Sequence, residues 1–402
     1  MKQHFKNLCG IFFALNLFFG FIGCDNNSTP KEPVEDWVIT GKITNDSIYS
    51  IKVDLQINDS VKVNLDLSNT SGLTEIGDEA FKDCKNLMSI KLPLGVKTIN
   101  WSSFENCSAL EKIFIPKTVE SIGPFAFAGC KKLIFEIDLE NTKYKTSDDG
   151  KILLSEDKKT LLCYPSASGT VEIPNYVETI GDSAFYGCSE MTNAIIPQSV
   201  TTIQDAAFYL CSGLSKINIS KNIEQIGLIV FSKCEKLIFE VAAENEYYAS
   251  SDDGKMLFSK DKKTLICYPS ASGDIEIPDG VEIIGENAFE SCLNLINVKI
   301  PNSVSIIEGG AFEECSSLTT LTIPQNVSKI GTFAFNNCSG LKSITFEDTE
   351  TWYKTLDYFS YTNGKIIDVS NPEENAKNLP TLYDVFELEG VEYPIPYCLY
   401  KE

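Results

Sequence analysis

The sequence predicts an α/β repeat solenoid, with a parallel β-sheet along its concave side and short helical or 3₁₀ turns along the convex side. The first observation behind this is a period: cysteines 84, 107 and 130, then 188, 211 and 234, then 292, 315 and 338, step by 23 residues within each group. The second is the frame around them, Val-x-x-Ile-Gly-x-x-Ala-Phe-x-x-Cys, as at Val177 to Cys188, followed by Leu-x-x-Ile-x-Ile-Pro, as at Leu110 to Pro116. The third is energetic. One such coil buries about six apolar side chains, worth roughly 9 to 18 kcal/mol, whereas ordering 23 residues costs roughly 35 kcal/mol. A coil therefore folds only against its neighbours, which is the condition for a stacked array.

Within each coil, the spacing of two in Ile113-x-Ile115 predicts a short strand with one buried face, and the proline after it has no N–H to continue the ladder. The spacings of three ahead of the cysteine suit a turn or a short 3₁₀ or helical segment. Gly77, Gly123, Gly181, Gly227, Gly285 and Gly331 follow the isoleucine, where a Cβ is expected to crowd the backbone of a tight corner. Asn100 and Gln204 stand in the glycine's place in two coils and predict altered corners there.

A longer period overlies the short one. Cys84, Cys188 and Cys292 are 104 residues apart, as are Cys163 and Cys267, so the chain holds two and a half copies of a 104-residue unit. In the two long cysteine intervals lie near-identical inserts, 147–169 and 251–273, in which Asp-Gly and Asp-Lys-Lys turns flank alternating apolar residues. Each reads as a β-hairpin projecting from the solenoid.

The I-G-x-x-A-F-x-x-C and I-P-x-x-V frames, with the D-G and Y-P inserts, resemble the BspA-like leucine-rich repeats of bacterial surface proteins, over roughly residues 62 to 346. The resemblance implies a leucine-rich-repeat solenoid and a role in cell-surface recognition, with adhesion to host matrix or to neighbouring cells.

The organisation around the array follows from composition. Lys2, His4 and Lys6 precede an apolar run from Leu8 to Ile22, too short and one-sided for a span, which predicts a signal peptide over 1–23. Phe21-Ile22-Gly23-Cys24 resembles a bacterial lipobox, with Cys24 the lipidated residue, although Phe21 and Ile22 depart from its usual residues. Residues 24–36 are polar and Pro-containing, as a tether between membrane and domain needs to be. Residues 37–61 are expected to cap the first coil, 62–346 to form the solenoid, and 347–402, with Trp352, Tyr353, Tyr358, Phe359 and Tyr361, to cap the last, Trp352 and Tyr353 acting as the plug. The expected place is membrane-anchored by lipid and exported, at the cell surface or outer membrane, with the periplasmic face open.

Composition narrows the function. The net charge is −22 over 402 residues and becomes −24 once a leader holding Lys2 and Lys6 is removed, so nucleic acid is repelled. The one histidine, His4, is lost with that leader, which removes imidazole-dependent catalysis and metal ligation. Of 14 cysteines, Cys9 falls in the leader and Cys24 at the anchor; nine of the rest share one inward repeat position. They read as structural free thiols, with disulfide or metal as alternatives. Asp148-Asp149-Gly150 and Asp252-Asp253-Gly254 lack the alternating spacing of calcium loops and read as turns. No enzyme activity, metal or cofactor is expected.

The informative positions point outward between the buried residues of each strand: Ser89 and Lys91, Lys112 and Phe114, Asn193 and Ile195, Lys216 and Asn218, Asn297 and Lys299, Thr320 and Thr322, Ser343 and Thr345. None is acidic in a chain of 56 acids, partly because strands disfavour Asp and Glu. Lys112, Phe114, Asn193, Ile195, Lys216 and Asn218 are therefore the candidate protein-binding residues, and the expected partner is an extracellular protein or glycoprotein. The alternative is a structural envelope protein that self-associates.

Overall fold

The structure, a computed structural model, describes residues 33–349, 352–355, 365–381, 383–388 and 391–401. The signal, Cys24, most of the tether, and Tyr358, Phe359 and Tyr361 lie outside these. The described residues form two compact units. One takes the residues up to Ser168 with Tyr176–Cys188, and the other takes Gly169–Asn175 with the residues from Ser189 onward.

Both units are stacked coils, and the architecture is the expected repeat solenoid, mainly β in content. In the first unit the Leu-x-x-Ile-x-Ile segments form a parallel ladder, Lys62–Ser71, Leu87–Lys91, Lys112–Ile115 and Ile134–Ile137. In the second they form two, Gly169–Glu172 to Ile238–Val241 and Gly273–Glu276 to Ser343–Phe346.

The convex side departs from expectation. The Val-x-x-Ile segments are two-residue strands in a second parallel ladder, such as Glu75–Ile76 with Thr98–Ile99 and Ser121–Ile122. The Ala-Phe-x-x-Cys segments are turns, and among the described residues helices occur only in the caps. Left-handed backbone excludes a helix here. Each coil carries two residues of positive φ four apart, as Glu79 and Asp83, Ser102 and Asn106, or Asn287 and Ser291. Such residues cost about 1 to 2 kcal/mol each. They are held because their N–H groups, with that of the Phe between them, donate to the next coil: Glu79 to Trp101 O, Phe81 to Ser103 O and Asp83 to Glu105 O, at 2.7–2.9 Å. A third ladder thus runs through the turns.

The glycine expectation holds where a coil lies beneath. A Cβ on Gly123 would sit 2.9 Å from Asn100 C and Trp101 N, and one on Gly285 would sit 2.7 Å from Leu265 O, while Gly77 in the first coil has nothing within 4 Å. Inside, the Phe rings stack coil on coil, Phe81 on Phe104 at 5.2 Å and Phe289 on Phe312 at 4.9 Å.

The inserts are part of the coil and do not project as lone hairpins. In the first unit Tyr144–Thr146, Leu153–Ser155 and Thr160–Cys163 form an antiparallel meander, and its last strand joins the second ladder, pairing in parallel with Thr179–Ile180. Leu153, Leu154 and Leu161 are buried in the core. The second unit repeats this with Leu257, Phe258 and Leu265. The turns share one device. Asp149 Oδ1 accepts from Ser147 Oγ and Lys151 N while Ser147 Oγ accepts from Ile152 N. Asp253 makes the same set with Ser251, Lys255 and Met256.

The caps close the open ends. Strand Val34–Lys42, which begins inside the segment assigned to the tether, pairs in parallel with Lys62–Ser71. Helix Asn45–Ile57 crosses between them and buries Ile48, Ile51 and Leu55. Its terminal carbonyls lack helical partners, and buried Asn86 donates to the group at Leu55, Asn58 and Val61. At the other end Trp352, 1% exposed, meets Phe346 edge-on at 5.0 Å. Tyr353 stacks on Tyr400 instead, half-buried. Helix Pro372–Asn378 supplies Asn375, which donates to Ile344 O, and Cys398–Lys401 covers Lys329–Ile330.

Candidate binding surface

The strand ladders hold their outward residues in rows. Lys112 lies between Ser89 and Ile134, and Phe114 between Lys91 and Glu136. In the second unit Asn193 lies between Thr170 and Lys216, and Lys216 between Asn193 and Ile238; Asn218 lies beside Glu240. The six candidates therefore divide, Lys112 and Phe114 on one sheet and Asn193, Ile195, Lys216 and Asn218 on another.

The rows are not free of acid, which corrects the sequence reading. Lys112 Nζ is 2.8 Å from Glu136 and Lys216 Nζ is 2.6 Å from Glu240. Lys91 pairs with Asp66 at 3.4 Å and Lys299 with Glu276 at 3.2 Å. The hydrogen bond to Glu136 raises the Lys112 ammonium above its ordinary range. These acids stand on the insert-side and cap-side strands, whose sequences leave the repeat frame, so counting only in-frame strands misses them. Exposed pairs of this kind contribute about 0 to 1 kcal/mol. Their consequence is for charge: a face read as neutral to basic is not basic, because each of these lysines is answered by a carboxylate and the rows also hold Glu172 beside Ile195 and Asp274 beside Asn297.

Other polar groups on the face serve the framework. Asn218 accepts from Ile196 N at 2.9 Å and donates to Ile196 O at 3.0 Å, bracing the adjacent strand end. Asn297 donates to Asp274 and accepts from Thr320. The sheet also leaves apolar side chains uncovered. Ile195 and Ile238 are each 42% exposed, and Phe114 is half-buried. Ile238 is a residue that sequence reasoning missed, because its strand follows Leu237 directly and breaks the Leu-x-x-Ile count.

Among the described residues the cysteines form no disulfide, and those at the ladder position are buried. Most do more than fill space. Cys107, Cys130, Cys234, Cys315 and Cys338 each donate S–H to the Phe carbonyl of the coil beneath, at 2.9–3.2 Å. Burial pushes the thiols up, at Cys84, Cys188, Cys234 and Cys338 to about 12. Among the described residues no group of three or more His, Cys, Asp or Glu could hold a metal ion.

Residues 61–149, 163–249 and 267–380 match the model of the BspA type leucine rich repeat region, in six copies. The chain belongs to this family. Among solved structures, this BspA-type chain is similar to a leucine-rich repeat protein from Eubacterium ventriosum (20% identity, 83% of this chain and 95% of that one, TM-score 0.43). It is also similar to a leucine rich cell surface protein from Faecalibacterium prausnitzii (26% identity, 69% and 84%, TM-score 0.38) and to the pneumococcal vaccine antigen PcpA (20%, 79% and 78%, TM-score 0.42). No curated protein matches it.

Proposed function

We propose that this BspA-type chain is an exported, lipid-anchored binding protein, without enzymatic activity, that recognises a protein or glycoprotein of host matrix or neighbouring cells through its outward strand faces. The observation that supports this most is the combination on the sheet of Gly169–Glu172 to Ile238–Val241: Ile195 and Ile238 are exposed, while Lys216 is answered by Glu240. Apolar anchors amid locally neutralised polar groups resemble the centre of an interface, where charge is depleted. They stand on a hydrogen-bonded sheet, so little conformational entropy is lost on docking. Anchoring follows from Cys24, since acyl chains contribute roughly 0.8 kcal/mol per buried CH₂.

The test is capture of the Cys24→Ser chain on immobilised matrix proteins and cell-surface glycoproteins, with light scattering of the same sample. Saturable capture that Ile195→Glu with Ile238→Glu abolishes is the expected result. Absence of capture together with concentration-dependent scattering would replace this reading with self-association.

A further inference from the structure

The 104-residue duplication gives an internal comparison away from the strand faces. In the first copy the rings of Phe125 and Tyr186 meet edge-on, 4.4 Å between centroids. The matching places in the second copy, 104 residues on, hold Ile229 and Glu290. A shorter aliphatic chain and a carboxyl group thus replace two rings, and there a cavity of about 170 Å³ is lined by Ile229, Phe231, Cys267, Ala288 and Glu290 among others. Leu228 and Glu286, both exposed, also line it and mark its mouth.

Glu290 is 9% exposed. Its Oε1 accepts from Ser291 Oγ at 2.7 Å, and its Oε2 is buried with no hydrogen-bond partner. Ser291 Oγ also lies 2.7 Å from Glu314 Oε2, and one hydroxyl proton serves only one of the two carboxyl groups. The neighbouring cation, Lys233, is engaged by Glu314 at 3.2 Å and sits over the Tyr209 ring. Burial, with Glu290 and Glu314 adding to it, pushes the Glu313 carboxyl up; burial, then Glu308 and Asp205, does the same at Glu286. The surroundings are therefore rich in acid. A buried polar oxygen without a donor is unfavourable unless something supplies one.

We propose that this cavity is a binding site for a primary alkylammonium group, drawn by the carboxylate of Glu290 in its lining, with its aliphatic chain lying against Ile229, Phe231 and Ala288. The volume equals roughly five to six waters at about 30 Å³ each, enough for a four-carbon chain and its nitrogen. A hard metal cation fits poorly, because it takes about six to eight oxygens and the lining is largely apolar. The site uses residues other than the outward strand positions, so its failure would leave the proposed function standing.

The experiment is calorimetric titration of the full-length chain with n-butylamine and, as the uncharged counterpart, n-butanol, at neutral pH. The expected result is one saturable site for n-butylamine, with n-butanol about tenfold weaker or worse. Glu290→Gln should weaken n-butylamine by about the same factor. Ile229→Phe with Glu290→Tyr, which installs the first copy's own pair, should abolish binding without lowering the unfolding midpoint. Nα-acetyl-lysine N-methylamide separates the sources: binding by both amines assigns the site to a lysine side chain on a polypeptide, and binding by n-butylamine alone assigns it to free amines. Equal binding of amine and alcohol, no saturable site in the wild type, or undiminished binding by the double variant overturns the proposal.

Discussion

Gly123→Ala should destabilise the protein while Gly77→Ala, at the same repeat position, should stabilise it. The ideal Cβ at Gly123 lies 2.9 Å from Asn100 C and Trp101 N, whereas carbon contacts are comfortable at about 3.5 to 4.0 Å. Relief requires the two coils to part by roughly 0.6 to 1 Å at this corner. That would stretch the bond from Gly123 N to Ile99 O, now 2.7 Å, beyond useful range. Overpacking costs about 1 to 3 kcal/mol, and alanine restores about 0.4 to 1 kcal/mol by restricting the unfolded chain. The net is a loss of roughly 1 to 2 kcal/mol. Gly77 has nothing within 4 Å of its Cβ position, so only the gain of about 0.4 to 1 kcal/mol remains. Urea unfolding should separate the two midpoints by about 1 M at a slope near 2 kcal/mol per M. Shifts of the same sign and size in both variants would refute the claim that this glycine is set by the coil beneath it.

The thiols make the fold alkali-sensitive. Cys84 and Cys188 in one unit, and Cys234 and Cys338 in the other, titrate near 12 when folded against 9.0 ordinarily, so their contribution is complete below pH 9 and is lost as pH rises toward 12. Two such thiols remove about 3 kcal/mol per unit by pH 10; circular dichroism should show unfolding in that window, and Ellman's reagent should react slowly with native protein at neutral pH. Deleting 147–162 removes buried Leu153, Leu154 and Leu161, a loss of roughly 5 to 9 kcal/mol that rivals a whole domain's stability; a variant that still melts cooperatively at the wild-type midpoint would contradict the integral role of the insert. Cys24→Ser should move the protein from the membrane to the soluble fraction and abolish palmitate labelling, and equal membrane retention would remove the lipid anchor.

The array was legible because its signals are periodic. The step of 23 set the coil, the Ile-x-Ile spacing set one strand, and the glycine set the corner. The second ladder was not, because Thr98–Ile99 and its counterparts are two residues long and show no alternation. The turn conformation had left a trace: the residue before the cysteine is Asp83, Asn106, Gly129, Gly187 and Asn337 in five coils, the residue types that tolerate positive φ. The inserts misled for a physical reason. Their turn chemistry, fixed by Ser147 with Asp149 and Ser155 with Asp157, is local and readable, whereas the pairing of Thr160–Cys163 with Thr179–Ile180 depends on the register of the next coil. The same holds for the candidate surface. Lys112 and Lys216 were found from spacing, but Glu136 and Glu240 were not, because they enter the rows from strands outside the frame.

In the proposed function, binding resides in the apolar groups of the strand faces and not in the charged rims or the insert turns. The direct measurement is an equilibrium titration of one captured ligand with four chains: wild type, Phe114→Ala, Ile195→Ala with Ile238→Ala, and Asp149→Ala with Asp253→Ala. A loss of about 1 to 2 kcal/mol is expected for each apolar truncation, with wild-type affinity for the turn variant. Unchanged affinity in the apolar variants with binding lost in the turn variant would contradict it.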